Sequence, residues 1–294
     1  MFAANQVPEE KQNNIFVKGS GEIFFWEALL FTITLLGGII TAFQFNKVAQ
    51  TQEVIFPQVS LENFIFSFII ATLFFFLLIK LLKFNKKKKI IFKAIFTLSI
   101  FFGGTLLFSV WLSEGASLFL MTLLIVWWWG KPSVLVQDLC IVLGIAGVGS
   151  FLGLALRPET VVILLVVFSI YDFVAVYKTK HMVKMAKEMI ASQAILGLVV
   201  PPHMKGFSED LAGVKPGGKF LVLGGGDIVF PLLLAAALIP EGIFSSLFVA
   251  LFSLIGLLAS FLIFISQKKR QAIPALPPIA LFSIIGFLIV RILG

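Results

Sequence analysis

Two aspartates stand where a strongly apolar sequence does not tolerate charge. Asp172 lies inside Val166-Val167-Phe168-Ser169-Ile170-Tyr171-Asp172-Phe173-Val174-Ala175-Val176. Asp227 follows Gly224-Gly225-Gly226 and heads a run, Pro231 to Ile239, that carries no charge. An ionised carboxylate deep in an apolar segment costs from about 3 to more than about 10 kcal/mol, so such a group reads as functional and inward-facing. Two carboxylates in contact cannot both ionise easily and hold one proton between them. One then activates water while the other protonates a carbonyl or a leaving amine, which is general acid–base hydrolysis.

The residues around the two acids fit that chemistry. Gly224, Gly225 and Gly226 lack side chains, so backbone approaches closely and the helix can unwind to let an extended substrate strand lie beside Asp227. Pro274-Ala275-Leu276-Pro277 opens a later apolar run, where proline suits a first helical turn and rigid residues form one wall of a site. The other acids read as loop or span-end groups, including Glu22, Glu27, Glu62, Glu114, Asp138, Glu159 and Glu241, with Asp138 taken as interfacial. His181 and His203 have no ligand cluster near them, so a metal site is not expected. Cys140 is the only cysteine and reads as a small packing residue.

Elements that place two carboxylates in such surroundings must cross a membrane. The 294 residues are 59% hydrophobic and 13% charged and include 34 Phe, more than a soluble core requires. Nine windows match the about 17 to 25 residues of a spanning helix. They run roughly over 22–44, 61–82, 90–112, 115–130, 134–156, 159–178, 219–239, 243–266 and 275–293. Long unbroken apolar runs are the helical signature, so the expected class is an all-α polytopic membrane protein of nine transmembrane helices. No small-residue cleavage site closely follows the first run, which is therefore taken as permanent. Trp127-Trp128-Trp129 reads as an interfacial anchor.

Basic residues alternate with these windows. Lys80, Lys83 and Lys86 to Lys89 follow the second, Lys131 the fourth, Lys178, Lys180, Lys184, Lys187, Lys205, Lys215 and Lys219 the sixth, and Lys268, Lys269 and Arg270 the eighth. The odd-numbered turns offer only Lys47, Arg157 and Arg291. The positive-inside rule then predicts a cytoplasmic N-terminus and an external C-terminus, and it accounts for the net charge of +8 without nucleic acid. On this topology Asp172 and Asp227 lie roughly 9 and 12 Å above the cytoplasmic ends of antiparallel spans.

One long gap divides the chain into a six-span part (1–178), a cytoplasmic linker (179–218) and a three-span part (219–294). In the linker, Met182, Met185, Met189 and Ile190 share one face of an amphipathic helix over 180–190 with lysines on another. From Pro201 onward the composition is that of loop. The fifth span carries Gly149 and Gly153 at a small-xxx-small spacing, which permits close helix packing.

Tyr171-Asp172 in the sixth span, Gly224-Gly225-Gly226-Asp227 as a Gly-x-Gly-Asp pattern in the seventh, and Pro274-Ala275-Leu276-Pro277 before the ninth together resemble the presenilin and signal peptide peptidase family of intramembrane aspartyl proteases. The likeness covers nearly the whole chain, including the nine-helix layout, and is most like an archaeal single-chain presenilin homologue. It implies a presenilin-like fold and hydrolysis of peptide bonds within transmembrane substrate helices, with Asp172 and Asp227 catalytic and no metal or cofactor. Tyr171, the three glycines and Pro274, Ala275, Leu276 and Pro277 take substrate-positioning roles by the same resemblance. The implied partners are transmembrane-helix substrates and membrane lipid, with self-association into a homo-oligomer left open.

Two other readings use the same residues. A proton-coupled transporter also employs paired membrane acids but predicts repeat symmetry, which the sequence does not show. A non-catalytic scaffold predicts that replacing either aspartate leaves activity intact.

Overall fold

The structure, a computed structural model, describes residues 19–53, 58–81, 85–215, 218–267 and 271–293. Lys83, Lys268, Lys269 and Arg270 of the topology pattern lie outside the described residues. Helices form over every expected window: α1 (Ser20–Thr51), α2 (Leu61–Leu81), α3 (Asn85–Ser109), α4 (Glu114–Gly130), α5 (Val134–Ala155) and α6 (Pro158–Phe173) precede the linker. A π-helical turn, Val174–Lys178, continues α6, and α7 (His181–Ser192), β1 (Gly197–Val200) and β2 (Leu221–Gly224) follow. The chain closes with α8 (Gly225–Ala237), α9 (Ile243–Ile265) and α10 (Leu276–Leu293). Among the described residues, six segments are long and apolar enough to cross a membrane: α1, 90–109 of α3, α5, α6 with its π turn, α9 and α10. The apolar segments at 61–71 and 114–130 are shorter.

The seventh window differs from its expectation. A spanning helix over 219–239 is replaced by a strand, 221–224, joined directly to a helix of 13 residues. Thirteen residues rise only about 20 Å, less than the hydrocarbon core of about 30 Å. Non-helical backbone is tolerated at such depth only inside protein. α8 meets that condition, because it packs against α1, α5, α6, α9 and α10. Its Ile228, Leu232, Leu234, Ala235 and Ala236 are fully buried, as expected of a helix that is apolar all round.

The strand finds its partner in the linker. β1 and β2 pair antiparallel with Gly197 opposite Gly224 and Val200 opposite Leu221, which satisfies backbone groups that have no water to bond. The all-α expectation thus omits one two-stranded sheet, and the loop expectation holds only beyond it, where short 3₁₀ turns cover Met204–Ser208 and Leu211–Gly213. The amphipathic helix forms as α7, with Ala186 and Ile190 buried and Lys184 and Lys187 exposed.

α5 is the scaffold of the fold. A Cβ on Gly147 would stand 1.8 Å from the carbonyl oxygen of Gly103, so α3 and α5 touch backbone to backbone. On the other side, a Cβ on Gly149 would meet Leu232 Cδ2 at 2.5 Å and one on Gly153 would meet Ala236 Cβ at 2.4 Å. The small-residue spacing read from the sequence therefore seats α8 itself. α9 and α10 close against each other through Gly256, where a Cβ would come within 2.6 Å of Ile279 Cα, and through Ser253 and Ser283, whose hydroxyls are 2.8 Å apart.

Candidate active site

α6 and α8 are neighbours, although the linker between them did not require it. The ring of Phe168 stacks on that of Phe230 with centroids 4.5 Å apart. Phe168 lies four residues before Asp172 and Phe230 three residues after Asp227, each about one turn away. In antiparallel helices that contact sets the two aspartates at one level.

Each carboxylate is held by backbone. Asp172, 6% exposed, accepts a hydrogen bond from the Leu276 N–H at 3.3 Å. Pro274 and Ala275 are buried and precede the helix, and Leu276 is the first residue of α10. The Pro-Ala-Leu segment thus brings its backbone onto Asp172. Asp227 is half-buried in the first turn of α8 and accepts from the N–H of Gly224, the N-cap. This is the acidic half of a capping box at a helix end that favours negative charge. Two residues beyond Asp172 the π turn begins, a local widening common at functional sites.

The three glycines differ in what they do. A Cβ on Gly224 would stand 3.1 Å from Asp227 Oδ2, and one on Gly225 would stand 3.1 Å from the Leu196 carbonyl oxygen, which accepts from the Gly225 N–H at 2.9 Å. Gly226 is exposed, and a Cβ there would meet only Phe230, at 3.9 Å. Tyr171 is exposed on α6 beside the buried Asp172. Pro277 is partly exposed in the first turn of α10.

Several residues that position the site were misread from the sequence. Asp138, expected at an interface, is 1% exposed, and its Oδ1 accepts from the Val199 N–H at 2.7 Å, tying β1 to α5. Gln137 beside it donates to the Ile195 carbonyl at 2.5 Å and accepts from Trp128 Nε1 at 2.9 Å. Trp128, 1% exposed and stacked on Phe96, is therefore a core residue, while Trp127 and Trp129 remain exposed as an anchor would be. Glu27, expected at a span end, is 0% exposed. An uncharged amide next to an acid at a helix start was the available signal for the Gln137–Asp138 pair.

A bundle of apolar helices around two level carboxylates is an arrangement that suits aspartyl proteolysis inside a membrane. The family described as "Signal-peptide peptidase, presenilin aspartyl protease" matches residues 28–293, and the chain belongs to it. A presenilin family intramembrane aspartate protease solved in a C222 crystal form has 23% identity and a TM-score of 0.58, over 91% of this chain and 96% of that one. A structure of such a protease in a P2 form has 26% identity and a TM-score of 0.56, over 90% and 97% respectively. No curated protein matches the chain. The family gives the transporter reading no support.

Proposed function

We propose that Asp172 and Asp227 are the catalytic pair with which this membrane protease hydrolyses peptide bonds in transmembrane helices of its substrates. The observation that carries the reading is the stacked Phe168–Phe230 pair, which brings the two acids level on adjacent antiparallel helices. With one proton shared, the ionised member takes a proton from water as the oxygen attacks the carbonyl carbon, and the protonated member gives its proton to the carbonyl oxygen. Collapse of the tetrahedral intermediate breaks the C–N bond: the leaving amine takes up the proton gained from water, and one hydroxyl of the intermediate returns its proton to the other aspartate as the new C=O forms, which restores the shared proton. One water is consumed per bond cut.

The exposed Gly226, Tyr171 and Pro277 border the acids and serve to position an extended substrate segment. Among the described residues the outer edge of β2, which runs into the Asp227 helix, pairs with no further strand, and backbone pairing there would supply the hydrogen bonds an unwound helix loses. The charge pattern supports a cytoplasmic N-terminus and an external C-terminus in the cell membrane, which places the pair near the cytoplasmic leaflet.

The test is cleavage of a model single-span substrate in detergent by the wild type, Asp172→Ala and Asp227→Ala. Loss of product with each single substitution is the expected result. Cleavage retained by either folded variant removes that aspartate from the mechanism.

A further inference from the structure

Arg291 joins three helices at the end of the bundle away from the two acids. Its Nη2 donates to Glu159 Oε1 at 2.7 Å and to Glu241 Oε1 at 2.9 Å. Glu159 is the second residue of α6, Glu241 closes the 3₁₀ turn Ile239–Glu241 that follows α8, and Arg291 lies in the last turn of α10. The Glu241 N–H donates to the Leu238 carbonyl at 3.0 Å, which fixes that turn to the end of α8.

These are the three helices that build the site. α6 carries Asp172, α8 carries Asp227, and α10 offers its Leu276 N–H to Asp172. Thirteen residues separate Glu159 from Asp172, fourteen separate Asp227 from Glu241, and fifteen separate Leu276 from Arg291. Each arm is therefore about 20 Å long, and the three are tied at both ends. Between the ends the helices pack on one another in pairs, with Leu165, Leu234, Leu238 and Ala280 in one cluster.

That cluster sets the axial register weakly. In lipid the helices gain nothing by hiding apolar surface from water, so side-chain packing and polar contacts decide how they seat. Packing does not hold the guanidinium either. It covers the Phe287 ring at 5.1 Å and otherwise borders a cleft lined by Phe244, Ser245 and Phe248, so the two carboxylates set its place. Exposed ion pairs contribute little to stability; what this bridge supplies is geometry.

We propose that Arg291 is a positioning residue for the cleavage reaction: by bridging Glu159 and Glu241 it locks the register of α6, α8 and α10, and with it the height at which Asp172 and Asp227 face each other. A slip of one residue along a helix is about 1.5 Å, and a misplacement of about 1 Å at reacting groups costs about a hundredfold in rate. A loosened bridge gives up part of that factor.

The inference rests on the Asp172–Asp227 assignment, and its test separates the two. The full chain is assayed with the single-span substrate as wild type, Arg291→Gln, Arg291→Lys, Glu241→Gln and the double variant Arg291→Gln/Glu241→Gln, with thermal melting in parallel. Arg291→Gln is expected to melt within about 3 °C of wild type and to keep KM within about twofold while kcat falls about three- to tenfold. Arg291→Lys is expected to recover most of that loss, because a single nitrogen makes both bonds. The double variant is expected to lose no more than Arg291→Gln alone, since both changes break one bridge. Losses that multiply in the double variant would show each charge acting only on its own helix end and overturn the proposal, as would wild-type kcat in folded Arg291→Gln. Should Arg291→Gln not fold, wild-type kcat in Glu241→Gln overturns it equally. Cleavage that survives Asp172→Ala or Asp227→Ala would instead overturn the catalytic pair.

Discussion

Phe168 and Phe230 stack face to face, with ring centroids 4.5 Å apart and planes 29° from parallel. Because each ring is one turn from an aspartate on its own helix, this single apolar contact sets the relative height of two acids separated by the whole linker. Stacked aromatic pairs contribute about 0.5–1.5 kcal/mol beyond the area they bury. Phe230→Ala is expected to lower kcat several-fold with a modest loss of thermal stability, and Phe230→Tyr to stay near wild type. Equal kcat for the alanine variant would show that the register is held elsewhere.

Gly225 and Gly226 should separate a packing requirement from a substrate requirement. Gly225→Ala pushes a Cβ to 3.1 Å from the Leu196 carbonyl oxygen and strains the link between β1 and the first turn of α8. It is expected to lower the melting temperature and to reduce cleavage. Gly226→Ala meets only Phe230 at 3.9 Å and should melt like wild type. A cleavage defect in that stable variant, read as a raised KM, would report a clash with substrate.

Asp138 anchors β1 through the Val199 N–H. Asp138→Ala leaves that buried donor unpaired, at a cost of about 1–3 kcal/mol. Its expected signature is faster hydrogen exchange at Val199 together with weaker cleavage. Asp138→Asn keeps an acceptor oxygen and should restore both. Exchange at Val199 that is unchanged in Asp138→Ala would show that pairing with β2 alone holds the strand.

The pH dependence of kcat/KM should be bell-shaped. Below the acid limb the pair binds a second proton and no carboxylate remains to accept one from water. Above the alkaline limb the shared proton is lost and nothing protonates the carbonyl. Activity therefore rises with pH through the first limb and falls through the second. A profile with a single limb would mean that only one acid titrates in the reaction.

Gly153 should tolerate little, because α5 seats α8 there. A Cβ would come within 2.4 Å of Ala236 Cβ and 2.9 Å of the Leu233 carbonyl oxygen. Gly153→Val is expected to displace the Asp227 helix and to lower stability by roughly 1–3 kcal/mol, the range for overpacked cores. A substitution at the exposed Leu139 on the same helix provides the control and should change neither stability nor cleavage.

The two aspartates, the glycines before the second and the proline segment were legible in the sequence because each breaks an apolar background by type alone. Hydropathy located the spans for the same reason, and the spacing of Gly149 and Gly153 disclosed a close helix contact. Hydropathy does not distinguish a buried strand from a helix end, so Leu221-Val222-Leu223 read as the start of a helix and Leu198-Val199-Val200 as part of a linker.

Burial was the other quantity hidden from the sequence. Glu27, Asp138 and Trp128 each lie near a span end, where sequence position suggests an interface, yet all three are buried, Asp138 with its bond to Val199 of β1 and Trp128 stacked on Phe96. The sequence by itself singled out the two acids as candidates for the chemistry and set the medium around them, since residue type and apolar run length carry both. Only the tertiary structure decided that α6 and α8 adjoin, that Leu276 offers its N–H to Asp172, and that Asp138 ties β1 to α5. Such pairings arise from contacts between segments far apart in the chain, and local pattern carries no record of them.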